Sequence, residues 1–281
     1  MLKVWVLFSA LLLSACSQTT LAPDSVVKDS IVPVPGSIVD LRSGKTITSE
    51  ELLEQLAAAP QVIVGEKHDN ANHHKIEQWL VENLARQRPQ GSVLMEMLTP
   101  NQQEKVNKSK LWLQNHPDAK ASEIAEQLDW KKSWDWSMYN GVVMAAMKGR
   151  YPLLSANLNR DEILALYKNP VFPAGSYSSQ PDVRAAIAET IRVSHDGKIE
   201  PEQQKSMLAI QQHRDRRMAE SLLAAPTPAL LIVGGYHASK KLGVPLHIRD
   251  LDSQTTPLVL MLAEQGSVVT AESADFVWTT P

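Results

Sequence analysis

Short aliphatic runs alternate with amphipathic stretches along most of the chain. Four runs, QVIVGE, GSVLMEML, YPLLSANL and PALLIVGG, are rich in aliphatic residues and bounded by glycine or polar residues, which is typical of buried β-strands. A fifth run, TPLVLMLAE, follows later in the chain. After the first run, Ile76, Leu80 and Leu84 are spaced to fall on one face of a helix. Strands alternating with helices predict an α/β fold with a mostly parallel sheet and helices on both faces.

The pattern also predicts a hairpin, helix starts and a helical lobe. SIVDLRSGKTIT predicts a short hairpin, and Ser49, followed by acidic residues, is predicted to cap the next helix. Thr99, Pro100 and Gln102 have the spacing of a capping box with proline in the first turn, which marks another helix start. Within about residues 99–225 the pattern is mainly helical. We therefore expect a smaller helical lobe inserted in the sheet domain.

The amino-terminal residues have the pattern of an exported lipoprotein. Lys3 precedes an apolar run that is short for a membrane span and ends in the small residues of LSAC. This segment resembles a bacterial lipobox, in which the cysteine receives acyl chains such as palmitate and becomes the first mature residue. Cys16 is the only cysteine of the chain, so it cannot form an internal disulfide. The alternative is an ordinary signal peptide that contains a cysteine.

These features divide the chain into three parts and indicate where it is attached. Residues 1–15 are predicted to be the signal peptide, 16–36 a lipid-anchored tether, and 37–281 the α/β domain. Ser17 and not aspartate follows the cysteine, which by resemblance to known lipoproteins favours the bacterial outer membrane, facing the periplasm or the surface. The formal charge of −3, from 28 Lys and Arg against 31 Asp and Glu, does not fit a nucleic-acid binder.

Polar and titratable residues follow four of the predicted strands where each strand ends. The carboxyl ends of parallel strands meet at one edge of a sheet, and ligands bind there. The pattern G-x-x-H occurs twice at these ends, and its glycines allow a sharp turn or close approach to a ligand. The sequence therefore predicts one ligand site built from four strand ends. The residues concerned are Glu66, Lys67, His68, Glu96, Ser155, Asn157, Tyr236 and His237, with Arg160 nearby.

Several candidates also have a purely structural interpretation. A single histidine at a strand end often caps a turn, and Glu96, between apolar neighbours, needs a buried hydrogen-bond partner. Of His73 and His74, one is expected to face the pocket and the other the solvent. Arg214 and Asp215 lie on a helical segment that either reaches the site or forms a solvated, ion-paired face.

Five segments in order, GEKHDNANHHKIEQ, LMEML, SANLNR, QQHRDRRMA and GGYHASKKLGVP, resemble the ChaN-like haem-binding lipoproteins. These proteins belong to a wider group that includes the Tiki metalloproteases and the TraB proteins. The resemblance covers the chain from about Ser37 to about Leu251. It implies a parallel-sheet domain with a smaller helical lobe, and haem binding in iron acquisition through a haem uptake receptor. It also implies a tyrosine iron ligand and haems sandwiched between the two protomers of a homodimer.

A haem site needs an axial ligand, an apolar slot and cations for the propionates. Tyr236 and His237 are the first candidates for the axial ligand, with His68 on the same edge. The other tyrosines, Tyr139, Tyr151, Tyr167 and Tyr177, remain open for that role. The tryptophans of residues 130–136 are interpreted as core of the helical lobe in preference to a ligand platform. The candidates for the propionates are Arg160, Arg214, Lys240 and Lys241.

The alternative is a metal-dependent hydrolase of the Tiki type. Such an enzyme needs three protein ligands on a divalent metal such as zinc or manganese, with one position open for water. His68, His237 and Glu66 or Glu96 meet this count, and the remaining glutamate is the candidate general base. The haem interpretation is favoured over this enzyme because it also accounts for the lipobox and the five segments. A lipoprotein scaffold with a degenerate site is a third alternative, and the polar residues at all four strand ends count against it.

Overall fold

The computed structural model describes residues 33–281, in which strands and helices alternate as the sequence pattern predicts. The predicted signal peptide, Cys16 and most of the predicted tether lie outside the described residues. The strands are β1 (Ser37–Asp40), β2 (Lys45–Ile47), β3 (Gln61–Glu66), β4 (Ser92–Met95), β5 (Leu153–Ser155), β6 (Ala229–Gly234), β7 (Leu258–Glu264) and β8 (Phe276–Thr280). The helices are α1 (Ser49–Ala58), α2 (Ala71–Gln87), α3 (Gln103–Asn115), α4 (Ala121–Gln127), α5 (Trp136–Lys148), α6 (Arg160–Lys168), α7 (Pro181–Ser194), α8 (Pro201–Ala224), α9 (Gly235–Ala238) and α10 (Val244–Leu251).

All eight strands belong to one sheet, in the order β2-β1-β8-β7-β3-β6-β4-β5. The strands from β8 to β5 run parallel to their neighbours. The predicted hairpin is confirmed, since β1 and β2 are antiparallel, and β1 also pairs antiparallel with β8. The α/β fold with a mostly parallel sheet is therefore confirmed.

The two G-x-x-H segments leave the sheet side by side. β3 and β6 are adjacent, and every residue of both strands is buried. Their parallel register pairs Gly65 with Val233 and Glu66 with Gly234. Because the strands end at the same level, the residues after them enter the same space at the carboxyl edge.

Helices cover both faces of the sheet and form two apolar cores. One core joins alternate strand residues such as Val62 and Val64 to helices α1 to α5. The other joins residues such as Ile63 and Leu231 to α8, α9 and α10. Buried strands that face helices on both sides explain why their sequences are almost continuously apolar. Residues 99–225 supply α3 to α8 and β5, and their helices contribute to both cores.

Several local predictions can be compared with the structure. The capping box at Thr99 and Gln102 is confirmed at a short 3₁₀ turn before α3. The cap predicted at Ser49 is wrong, because Thr48 accepts a hydrogen bond from the Glu51 amide while the Glu51 side chain accepts from the Thr48 amide. The sequence pattern also missed β8. No helix within residues 33–281 has the length and apolar character needed to cross a bilayer.

Candidate functional site

A cleft of about 790 Å³ lies at the carboxyl edge of the central strands. It is formed where β3, β4 and β6 end, with α8 and the segment after β7 as its walls. The volume is within the range of about 300–1,000 Å³ that is common for small-molecule and cofactor sites. Residues lining it include Glu66, His68, Glu96, Trp134, Gln211, Arg214, Gly234, Gly235, Tyr236, His237, Leu242, Met261 and Val268.

His237 is held between two buried carboxylates. Its Nδ1 lies 2.7 Å from Oδ1 of Asp215, and its Nε2 lies 3.4 Å from Oε1 of Glu96. The amide nitrogen of Gln211 is 3.1 Å from the same Nδ1, but the closer carboxylate can only accept, so Nδ1 carries a hydrogen. Burial alone lowers the pKa of His237, but Glu96 and Asp215 outweigh it and raise the pKa to about 10.

This arrangement decides what His237 can do. Both ring nitrogens point at carboxylates, which favour the protonated ring and occupy both of its hydrogen-bonding positions. His237 is also buried, so Tyr236 and His68, whose side chains are exposed to the cleft, are the first candidates for an axial ligand.

Glu96 has the buried partners that its sequence context requires. Its Oε2 accepts a hydrogen bond from the Gly234 amide at 2.8 Å, and its backbone carbonyl accepts from the Asn157 side chain at 2.9 Å. Burial raises the pKa of Glu96, but His237, His68 and the Gly234 amide outweigh this and lower the pKa to about 2. Glu96 therefore stays ionised and ties the ends of β4, β5 and β6 together.

His68 is the more accessible of the two histidines. Its side chain is 42% exposed, and its Nδ1 contacts both Oε1 of Glu66 and, at 3.1 Å, the hydroxyl of Tyr139. Burial lowers the pKa of His68, and Glu66 more than compensates and raises it above the ordinary value. The ring stands edge-on to Trp134 with centroids 4.9 Å apart. A Cβ atom on Gly234 would lie 2.8 Å from Nε2, so the glycine provides the space for this ring.

Tyr236 lies in the first turn of α9 and is 65% exposed. Its side chain lines the main cleft and also a smaller apolar groove of about 190 Å³ between α7 and α8. The groove is lined by Ile187, Thr190, Ile191, Ser194, Met207, Gln211, Tyr236 and Leu242. A phenol in this position is open to a flat ligand that enters the cleft.

The other tyrosines do not line the cleft. Tyr139 is buried beneath it, where burial and the charge of Glu66 raise its pKa well above the ordinary value. Burial raises the pKa of Tyr151 to about 12, and its ring lies below the Lys110 ammonium. Tyr167 is exposed on α6, and the Tyr177 ring is covered by an arginine guanidinium from α10.

The four residues predicted to bind the haem propionates differ in whether they line the cleft and whether they are already paired. Arg214 lines the cleft, and its buried Nε has no hydrogen-bond partner among residues 33–281. Arg160 is exposed at the start of α6 and is not among the residues that line the cleft. Lys240 and Lys241 are each paired at 2.7 Å, with Asp275 and with a glutamate of the neighbouring loop. Arg214 is therefore the one predicted cation that lines the cleft without a partner among the described residues.

A buried polar cluster lies behind the cleft. Within residues 33–281, Glu66, His74 and Glu77 form the one group of three acidic or imidazole side chains whose donor atoms lie within 4.8 Å of one another. The set His68, His237 and Glu66, predicted for a metal hydrolase, does not meet this criterion. The expectation that one of His73 and His74 faces solvent is wrong, because both are buried.

Sequence analysis missed the roles of Tyr139 and Glu77. Glu77 falls three positions after His74, on the face of α2 that carries Ile76 and Leu80, and a glutamate on a buried face is a usable signal. Tyr139 gave no such signal, since its hydroxyl reaches Glu66 across 73 positions of sequence.

Comparison with known proteins shows the family. The family model described as haem-binding uptake, Tiki superfamily, ChaN matches residues 52–248. The solved structure titled "Cofacial heme binding to ChaN of Campylobacter jejuni" is 31% identical, with a TM-score of 0.79, and the alignment covers 88% of this chain and 97% of that one. A search of curated protein sequences found no match.

Two further solved structures are much less similar. The type III effector HopBA1 is 12% identical with a TM-score of 0.44, over 82% of this chain and 91% of that one. A mutant of the erythromycin esterase EreC is 14% identical with a TM-score of 0.45, over 87% and 82%. These likenesses are too weak to carry an argument. The family model matches most of the chain and the Campylobacter structure is 31% identical over 88% of it, so the chain belongs to the ChaN family of haem-binding uptake proteins in the Tiki superfamily.

Proposed function

We propose that this protein binds ferric haem in the cleft at the carboxyl edge of the sheet, with the Tyr236 phenol as axial ligand. The observation that carries the proposal is the difference in exposure and contacts between Tyr236 and its neighbour His237. The Tyr236 side chain is exposed on the cleft wall, whereas both ring nitrogens of His237 are engaged by carboxylates. Phenolate is an established ligand of haem iron. The Campylobacter relative, which is described as binding haem cofacially, supports haem as the bound group.

The other requirements of a haem site are met by residues around the cleft. Trp134, Leu242 and Met261 provide apolar walls. Arg214, with its unpaired Nε, is the candidate partner for a propionate, because guanidinium groups bind carboxylates well. Haem itself supplies the iron centre, and the protein's part is to bind, orient and release it.

Two protomers are proposed to share the bound haem as a homodimer. Tyr236 is 65% exposed and Val268, which also lines the cleft, is 88% exposed, so the cleft leaves apolar surface uncovered. A flat ligand bound there keeps an open face that a second protomer and its haem would cover. This arrangement follows the word "cofacial" used of the Campylobacter relative.

The protein is further proposed to be anchored in the bacterial outer membrane through lipid on Cys16 and to serve a haem uptake receptor. The support is the lipobox pattern before the tether. Cys16→Ser removes the acceptor thiol, so the variant is expected to leave the membrane fraction or to accumulate as a precursor. Metabolic labelling with tritiated palmitate, followed by fractionation, measures this directly. Label and membrane partitioning equal to those of the unchanged protein would contradict the anchor.

The axial ligand is tested with Tyr236→Phe, which removes one oxygen and keeps the ring. The full-length chain, purified in mild detergent, is titrated with hemin and followed by absorption and electron paramagnetic resonance. We expect the charge-transfer band of an oxygen ligand in the unchanged protein, and loss of that band with at least about tenfold weaker binding in the variant. Tyr167→Phe, at another exposed tyrosine, is the matched control and should leave the spectrum unchanged. A normal spectrum in Tyr236→Phe would contradict the assignment.

The metal-hydrolase alternative has less support from the site. Its ligand set depends on a lone pair of His237, and both ring nitrogens of that residue face carboxylates. A hydrolase would also require His68, His237 and either Glu66 or Glu96 to converge on one ion, and neither set forms a group whose donor atoms all lie within 4.8 Å of one another among residues 33–281. Haem binding therefore remains the function that the geometry supports best.

A further inference from the structure

The cluster of Glu66, His74 and Glu77 adjoins the proposed haem site through Glu66, whereas His74 and Glu77 are not among the residues that line the cleft. All three side chains are buried, with relative exposures of 4%, 3% and 0%. They come from the end of β3 and from the first half of α2, so the same strand end that contributes to the cleft also contributes to a second site behind it. Two carboxylates buried so close together are unfavourable without a compensating positive charge.

Each carboxylate has one oxygen in use and one oxygen free. Oε1 of Glu66 accepts from the Tyr139 hydroxyl at 2.9 Å and contacts His68, whereas Oε2 has no hydrogen-bond partner among residues 33–281. Oε2 of Glu77 lies 3.0 Å from Nδ1 of His74, whereas Oε1 has no partner within the same part of the chain. Buried oxygens that lack a donor call for a partner, and one cation could serve both of these oxygens.

The hydrogen bonds of His74 also make its Nδ1 a possible metal ligand. Its Nε2 lies 3.1 Å from the backbone carbonyl of His68, and because a carbonyl only accepts, Nε2 carries a hydrogen. In the neutral ring the lone pair is then on Nδ1, which faces Oε2 of Glu77. Two electron pairs cannot face each other at this distance, so either a proton joins the two atoms in a hydrogen bond or one metal ion is bound to both of them. A ligating histidine that donates its other N–H to a backbone carbonyl is the usual arrangement in metal sites.

We propose that Glu66, His74 and Glu77 form a buried site for a divalent first-row transition-metal ion, with Zn²⁺ as the best probe. With bonds of about 2.0–2.1 Å, adjacent ligands of a tetrahedral zinc ion are roughly 3.3 Å apart. The donor atoms of the cluster, which lie within 4.8 Å of one another, need only small shifts to reach this spacing. The ion's two positive charges balance two carboxylates, and the proton shared by His74 and Glu77 is released to solvent on binding.

The ligands also indicate which ions would be rejected. Mg²⁺ and Ca²⁺ prefer six or more oxygen ligands, and Mg²⁺ usually retains several waters. One imidazole with two carboxylates in a buried position instead suits Zn²⁺ and its first-row neighbours. Because Glu66 contacts His68 through its other oxygen, an ion here would also hold the carboxylate that orients the His68 ring in the haem cleft.

The test is zinc binding by the full-length chain in detergent, after stripping with a chelator and exchange into zinc buffer. One zinc per chain is expected from elemental analysis, with X-ray absorption showing a single imidazole in the first shell. Glu77→Gln should weaken zinc binding by at least about 100-fold, and Tyr139→Phe, which removes the hydroxyl that orients Glu66, by about 10–100-fold. Glu82→Gln, a change of the same kind further along α2, is the matched control and should keep full affinity. His237→Gln should also retain the ion.

The outcomes separate this site from the cleft. Zinc lost in His237→Gln but kept in Glu77→Gln, or an X-ray absorption spectrum with two imidazoles, would overturn the proposal and move the ion to the cleft histidines. No zinc retained by the unchanged protein would overturn it as well. Because the spectrum is recorded on the unchanged protein, the test holds even where Glu77→Gln fails to fold. Haem binding is measured separately, so either proposal can fail without the other.

Discussion

The close approach of α9 to β3 gives the first glycine of the upstream G-x-x-H segment a specific role. An added Cβ atom at Gly65 would lie 2.5 Å from Cβ of Ala238 and 2.8 Å from Sδ of Met261. Carbon atoms in contact are about 3.5–4.0 Å apart, so Gly65→Ala would force β3 and α9 apart by about 1 Å. Overpacking of this kind costs typically about 1–3 kcal/mol, and here the atom that must move is fixed to a backbone.

The matched control is the neighbouring glycine of the downstream segment. A Cβ atom at Gly235 would meet Sδ of Met261 at 3.2 Å, at the far end of a flexible side chain, and the Glu66 carbonyl oxygen at 3.5 Å, an ordinary van der Waals distance. Replacing glycine by alanine at a helical position that has room stabilises by about 0.4–1 kcal/mol, because the unfolded chain loses freedom. We therefore expect Gly235→Ala to be neutral or slightly stabilising.

Thermal unfolding of the two variants beside the unchanged protein measures the difference. For a chain of this size about 1 kcal/mol corresponds to roughly 2–4 °C, so Gly65→Ala should unfold roughly 3–10 °C lower. Haem titration should also weaken in Gly65→Ala, because α9 carries Tyr236. Equal melting temperatures for Gly65→Ala and Gly235→Ala would refute the packing argument.

Two further variants test the site and the acid stability. Gly234→Ala places Cβ 2.8 Å from Nε2 of His68, whose ring can move aside. We therefore expect a melting temperature within a few degrees of normal but at least about tenfold weaker haem binding. Normal haem binding in this variant would show that the position of the His68 ring is unimportant. Burial and the Arg216 charge lower the pKa of His247 to about 3, whereas its value in the unfolded chain is near 6.5. The unfolded chain therefore binds a proton that the folded state does not, and the folded state loses stability as pH falls from about 6.5 toward 3. At about 1.4 kcal/mol per pH unit, the free energy of unfolding of the unchanged protein should fall by up to about 3 kcal/mol more than that of His247→Gln between pH 6.5 and 4.5. Denaturant unfolding of both proteins at both pH values measures this, and an equal fall in the two proteins would contradict it.

The positions of the main elements were accessible from the sequence because the signals are local. Aliphatic runs that end in glycine define β3 and β6, and the strand-end rule then places Glu66, Glu96 and His237 at one edge. The strand β8 was missed because FVWTT is short, contains polar residues and follows a loop. It is defined by its pairing with β7 and β1, which no local pattern records.

The finer chemistry of the site depended on partners distant in sequence. Asp215 was expected either at the site or on a solvated face, and only the fold shows that it is buried against His237. That contact and the one to Glu96 engage both ring nitrogens of a candidate iron ligand. Tyr139 likewise approaches Glu66 only because α5 packs against α2. Patterns along a chain cannot show which side chains of separate helices meet, so the partners of His237 and Glu66 required the structure.

The central claim is that the cleft binds ferric haem through an oxygen ligand supplied by Tyr236. The most direct measurement is a hemin titration of the full-length chain, with absorption and electron paramagnetic resonance recorded at saturation. The account predicts saturation at one haem per chain, with a high-spin spectrum of tyrosinate ligation that the Tyr236→Phe variant loses. A bis-histidine spectrum, or the absence of saturable haem binding in a protein that melts cooperatively, would contradict it.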